Sequence, residues 1–133
     1  MNTALQPPPG VRNVPPWEDH CRRVHARAID LLQGRLGLAE SAVELDWLAV
    51  WTQLEKDPDL AVFRALLSEL GDYPIGEERS RWSPAALARE DEKLAPIVEK
   101  WRQRALEAAG HLVGRFEWAL EARNRRREKG HAV

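Results

Sequence analysis

The side chains best suited to chemistry in this chain lie early. His20, Cys21 and His25 are close together, and the four-residue step from Cys21 to His25 puts a thiol and an imidazole on one face of a helix. Such a pair could begin a zinc site, or serve as a nucleophile and its base. Neither arrangement is complete. A closed zinc site needs four ligands, and the sequence has no Cys-x-x-Cys and no second His pair. A thiol nucleophile needs an oxyanion site, and none can be read. The expectation is a small buried thiol with a boundary histidine. His111 and His131 have no partner at a readable spacing, and Glu90-Asp91-Glu92 belongs to a mixed charge run typical of an exposed helical face. No glycine-rich phosphate loop, His-Glu-x-x-His or Gly-x-Ser-x-Gly pattern occurs. The chain is therefore expected to be no enzyme, with no metal and no cofactor.

A second constellation lies at the other end. Arg123, Arg125, Arg126, Arg127 and Lys129 stand against Glu121 and Glu128. An apolar stripe that ends at Ala119 continues at helical spacing onto Arg123 and Arg126, so a core face becomes cationic. Guanidinium forks suit phosphates or carboxylates. Trp118 falls off that stripe, on the side of His111 and Arg125, where an exposed ring could anchor a protein or stack on a base. Another helix packed on that side would instead make it ordinary core. Trp118, Arg123, Arg125, Arg126 and Arg127 are thus the expected partner-binding residues. A protein is the expected partner and nucleic acid the alternative, although the cluster carries no recognised reader motif.

Composition bounds these readings. The chain has 133 residues, 20 Lys+Arg and 21 Asp+Glu, a formal net charge of −1, which gives the whole molecule no long-range pull toward nucleic acid or an anionic membrane. A chain of this size holds one core. Ala, Leu, Arg and Glu supply 65 residues while Val, Ile and Thr supply 14, which favours helix over sheet. A single cysteine forms no internal disulfide, and no long apolar run suggests a leader or a span, so a soluble cytoplasmic protein without membrane contact is expected. Charge is uneven along the chain: between Ala39 and Asp72 eight acidic residues face two basic ones. That surplus could be solvated, or it could pair with the positive C-terminal tail, within the monomer or between copies, which makes a homodimer possible.

The elements that must position these groups follow from periodicity and punctuation. Residues 1–15 carry Pro7, Pro8, Pro9 and Pro15 and predict an extended or disordered arm; residues 16–128 predict the helical domain and 129–133 a tail. Helix 1 is expected over about 16–33, on a stripe of Trp17, Cys21, Val24, Ala28, Leu31 and Leu32, ended by Gly34 and Gly37. Helix 2 is expected from 38 or 41 to 56, with Ser41 and Glu44 spaced as a capping box. Its main stripe is Val43, Trp47, Val50, Trp51 and Leu54, with Leu45 and Leu48 nearly opposite. A helix apolar on two sides is usually sandwiched, which places helix 2 at the centre; the rival is a partner surface made by Leu45 and Leu48.

Asp57-Pro58 reads as N-cap and first residue of helix 3, which Gly71 stops. Its acidic surplus argues against a DNA-reading helix-turn-helix. Residues 71–83 form a loop, and Trp82-Ser83-Pro84 with Leu87 has the pattern of a hydrophobic staple and N-cap. A helix at about 84–94 should kink or restart at Pro96, and a stripe of Val98, Trp101, Ala105, Ala108, Leu112, Phe116 and Ala119 continues toward residue 128. That last helix is too long for the domain unless it projects or breaks at Gly110 or Gly114. The expected fold is all-α, a single-domain bundle of four to five helices with a long C-terminal helix and an extended Pro-rich N-terminal arm. Its core is expected to hold Trp17, Val24, Leu31, Val43, Trp47, Val50, Leu54, Phe63, Leu67, Val98, Trp101, Leu112 and Phe116, so that Trp47→Ala or Trp101→Ala would destabilise it severely.

Overall fold

In the computed structural model, residues 3–131 are described, with the side chains of 123 and 126–131 excepted. The chain is all-α, as composition and periodicity predict, and the described residues form five α-helices: α1 (Val14–Leu32), α2 (Leu38–Trp51), α3 (Pro58–Leu70), α4 (Pro84–Phe116) and α5 (Trp118–His131). A short 3₁₀ segment, Gly76–Arg81, lies within the loop before α4. Among the described residues there is no strand. The long α4 is the spine: α1 and α3 both lie along it, α2 packs on α1 and α3, and α5 returns onto α1.

Several ends are made as the residues dictate. Pro15 and Pro16 sit in the first turn of α1, where their missing N–H groups leave no helical bond unmade. At Gly34 and Gly71 the chain leaves its helix with φ of +74° and +59°, a region glycine enters without a Cβ clash. Asp57 caps α3, accepting from the backbone N–H of Asp59 at 3.0 Å and of Leu60 at 3.1 Å. Ser83 caps α4 through its hydroxyl, which accepts from the Ala86 N–H at 3.1 Å. The loop before α4 is fastened by Arg79, whose guanidinium forks onto Asp91 and donates to the Tyr73 hydroxyl, itself hydrogen-bonded to Asp91.

Helix 2 departs from expectation at both ends and in its phase. It starts at Leu38 with Gly37 as N-cap, so Ser41 lies buried inside the helix and forms no capping box. It stops at Trp51 rather than near residue 56. The N–H of Gln53 bonds to the Val50 carbonyl and that of Leu54 to the Ala49 carbonyl, a Schellman closure with Gln53 at φ +58° in the position glycine usually fills. The buried side consists of Leu38, Ser41, Ala42, Leu45, Leu48 and Ala49, and the expected core residues Val43, Trp47 and Val50 are exposed. Small residues decide this. Ala42, Ala49 and Ser41 let the α2 backbone approach α1 and α3 closely, and Leu45 and Leu48 fill the space between them, which two indole rings would overfill. Nor is α2 central, since it lies at the edge of the bundle and scarcely meets α4. Leu54, Leu67 and Val98 are only partly buried, whereas Trp17, Val24, Leu31, Phe63, Trp101, Leu112 and Phe116 are core as expected.

Helix α4 runs unbroken through Pro96, with no restart there, and through Gly110 and Gly114. Pro96 is exposed, so its ring and the carbonyl it leaves unpaired face outward. A Cβ at either glycine would meet nothing within 4 Å, so neither serves a close helix contact. The break falls instead after Phe116. Glu117 joins α4 to α5, and the turn brings Trp118, Ala119 and Ala122 back onto the core.

The acidic stretch from Ala39 to Asp72 is partly neutralised inside the same chain. Arg115 of α4 bonds to both Asp57 and Asp59, donating to Asp57 Oδ1 at 3.1 Å and to Asp59 Oδ2 at 2.6 Å, with a further bond to Asp57 Oδ2. His111 Nδ1 meets Asp59 Oδ1 at 3.0 Å, and Lys100 meets Glu69 at 3.0 Å. Burial raises the affinity of the Asp57 carboxyl for a proton, but the Arg115 hydrogen bonds and the helix N–H groups outweigh it, and the carboxyl is held below its ordinary 3.8. A folded value below the unfolded one means that this contribution is present above about pH 3.8 and is lost as pH falls through the folded value. Asp57→Ala, which removes a cap and a cross-helix tie together, is expected to cost about 2–3 kcal/mol in urea unfolding at pH 7. The deficit relative to the parent should shrink below pH 3.8.

Candidate functional site

The outer face of α2 is where the fold leaves most apolar surface uncovered. Val43, Trp47, Val50 and Trp51 are 42%, 44%, 48% and 54% exposed. They lie at helical spacing, so one side of α2 is a ridge of two indoles and two valines. The ridge is not bare. Trp47 and Trp51 have ring centroids 5.3 Å apart, and His20 of α1 lies 6.2 Å from Trp47, edge-on, and 5.7 Å from Trp51. The Arg23 guanidinium sits 5.7 Å from the Trp47 ring centre. α1 runs antiparallel to α2 here, so Arg23, His20 and Pro16 follow Val43, Trp47 and Trp51 in reverse order along the ridge.

Two shallow depressions flank the rings. One, about 330 Å³, is lined by Arg23, Val43, Glu44 and Trp47. The other, about 210 Å³, lies at the Trp51 end among Arg12, Pro16, His20 and the strained Gln53. A larger hollow of about 440 Å³ lies elsewhere, between the N-terminal arm and α4, lined by Thr3, Leu5, Gly110, His111, Gly114 and Arg115. Its polar groups are already engaged, because Arg115 and His111 are held by Asp57 and Asp59. The α2 ridge therefore combines the largest uncommitted apolar surface with charged groups that have room to meet a partner.

The site residues expected from the sequence fare differently. Trp118 is 1% exposed: its ring stacks on Trp17 with centroids 5.7 Å apart and 27° between planes. It joins α5 to α1 and offers no surface to a partner, because the turn at Glu117 rotates α5 so that this ring faces inward. Trp17 is itself anchored by its Nε1, which donates to the Thr52 carbonyl at 2.9 Å. Arg125 is exposed on α5 and approaches Glu121 at 3.9 Å, one turn earlier. Arg123, Arg126 and Arg127 lie on the α5 backbone, but their side chains fall outside the described residues. Trp47 and Trp51 stand at the surface, where size and apolarity alone point to the core. The signal that could have placed them is the run of small residues opposite, Ala42 and Ala49, together with Ser41.

Cys21 and His25 share one environment and His20 occupies another. Cys21 is fully buried, and burial, assisted by Glu18, pushes its thiol up to about 12, so it carries no nucleophilic thiolate at neutral pH. His25 is buried beside it, while His20 turns toward the tryptophans. Among the described residues no three His, Cys, Asp or Glu side chains are grouped to hold a metal ion. Among the same residues, no helix is long and apolar enough to cross a membrane.

No known protein family, characterised protein or solved structure matches this chain.

Two outcomes follow from these placements. Trp118→Ala should cost about 3–5 kcal/mol in urea unfolding, and Trp47→Ala or Trp51→Ala less than about 1 kcal/mol, reversing the order that exposed Trp118 and buried Trp47 would give. Burial lowers the proton affinity of His25 below its ordinary 6.5, against an opposing pull from Glu117. The unfolded chain then takes up the proton first, so stability falls as pH drops below about 6.5. His25→Gln should flatten that part of a thermal-melt series between pH 7 and pH 5.

Proposed function

We propose that this chain is a non-enzymatic helical protein-interaction module, a small adaptor, regulator or inhibitor, whose contact surface is the outer face of α2. One observation carries the reading. The fold buries the side of α2 built from small residues and leaves two tryptophans outside, and an indole held in place by neighbouring rings is the kind of group that dominates protein interfaces. Stacking of Trp47, Trp51 and His20 restricts their rotamers before any partner arrives, which lowers the entropic cost of contact. The surface is wide and shallow rather than enclosed, which suits another protein surface better than a small substrate. Arg125, exposed on α5, adds a second, electrostatic contribution. A nucleic-acid reading draws nothing from Trp118, whose ring is enclosed by the fold.

A photo-crosslinking residue placed at Val50 in the native host tests this. Adducts to protein are expected from Val50 and not from Arg102, an exposed position on α4 remote in sequence from the ridge. Equal labelling from both positions, or none from Val50, would refute the assignment of α2 as the contact surface.

A further inference from the structure

The ridge is not uniformly charged, and the distribution of charge selects among partners. At the Val43 end stand Glu40 and Glu44, with Arg23 sharing their side of the ridge, and at the Trp51 end stands Arg12. None of these four makes an ion pair among the described residues. Elsewhere on the same surface charges are matched: Arg27 meets Asp30 at 3.0 Å and Arg64 meets Asp46 at 2.8 Å. An apolar centre is thus bounded by a net acidic end, where Glu40 and Glu44 outnumber Arg23, and by Arg12 at the other. At 1.5 Å per residue, Glu40 and Trp51 are separated by about 16 Å along α2.

A purely acidic partner would meet Glu40 and Glu44, and a purely basic one Arg12. A partner that satisfies both ends must carry the same two charges in the opposite direction. A second copy related by a two-fold axis through the middle of the ridge does so: its α2 lies antiparallel, its Trp47 and Val50 meet their own counterparts, and its Arg12 faces Glu40 and Glu44. Size is consistent with this. Val43, Trp47, Val50 and Trp51 together expose roughly 400 Å² of side chain, an adequate centre for an interface of about 800 Å² per partner. A net charge of −1 per chain gives two copies almost no overall repulsion.

Resting on the reading of α2 as a contact surface, we infer that its first occupant is a second copy of this chain, in an isologous dimer with antiparallel α2 helices. The dimer buries four indoles at its centre and forms two equivalent acid–base contacts at its ends. Each C-terminal helix packs on α1 of its own chain.

Sedimentation velocity of the full chain, from about 1 to about 200 μM, reads the association directly, and a reversible dimer of micromolar dissociation constant is expected. Trp47→Ser with Trp51→Ser should weaken it at least tenfold while circular dichroism stays unchanged, because neither ring supports the fold. Charge reversal gives the sharper test. A chain with Glu40→Arg and Glu44→Arg should be monomeric, and so should one with Arg12→Glu. Mixed, they should form a heterodimer, since both ends then match. A parent chain monomeric throughout the range, a dimer indifferent to the tryptophan substitutions, or no recovery on mixing would each overturn the inference. A monomeric chain that still crosslinks from Val50 to a different protein would remove self-association and leave α2 as the contact surface. Loss of both signals would remove both.

Discussion

A helix whose apolar residues lie on two sides can bury only one of them when it sits at the edge of a bundle, and the rest of this molecule's functional character depends on which side α2 buries. Close approach decides in favour of Ala42, Ala49, Leu45 and Leu48. Two helices with alanines at their contact come nearer than two with indoles there, and every pair of atoms brought to contact adds dispersion energy along the whole seam. The larger rings are displaced outward by the same choice. Exposed tryptophan on this surface is therefore a consequence of how the core is packed, and it comes with orientation: Thr52 and Trp17 lock the end of α2, and His20 and Arg23 brace the rings from α1.

Much of the fold is written in local residue chemistry. The helical class, the proline-led start of α1, the Asp57 and Ser83 caps and the glycine exits at Gly34 and Gly71 all follow from interactions within a few residues. Such features need no tertiary knowledge, because a cap or a positive φ is satisfied by its own turn. The end of α2 was not legible for the complementary reason. Gln53 adopts a glycine-like conformation under the pull of its surroundings, without a glycine in the sequence to announce it. The break after Phe116 is equally silent, since neither Glu117 nor its neighbours is a helix breaker. It arises because Trp118, Ala119 and Ala122 find more apolar surface by turning back over α1 than by continuing outward.

The candidate site was less legible than the fold, and the reason is physical. Ranking residues by size and apolarity puts Trp47 inside and Trp118 outside, yet the side a helix buries depends on where small side chains permit contact as well as on where large ones stand. In α2 the two apolar sides nearly cancel, so periodicity could not choose between them. At Trp118 a single change of helix direction reverses the expectation. The charge asymmetry was visible, but the residues that meet it inside the chain are Arg115, His111 and Lys100 of α4, against Asp57, Asp59 and Glu69, and not the C-terminal arginines to which the sequence pointed. What remains unmatched among the described residues on the ridge, Glu40 and Glu44 at one end against Arg12 at the other, is the portion on which the proposed partner rests.

Asp57 has a further consequence for motion. The same carboxylate that closes the first turn of α3 also grips Arg115 on α4. Fraying at the start of α3 and detachment of α3 from the spine are thus one event rather than two. Amide protons at Asp59 and Leu60 should exchange with solvent only through openings large enough to release Arg115 as well, so a helix end that would ordinarily breathe on its own is enlisted in the cooperative unit of the bundle.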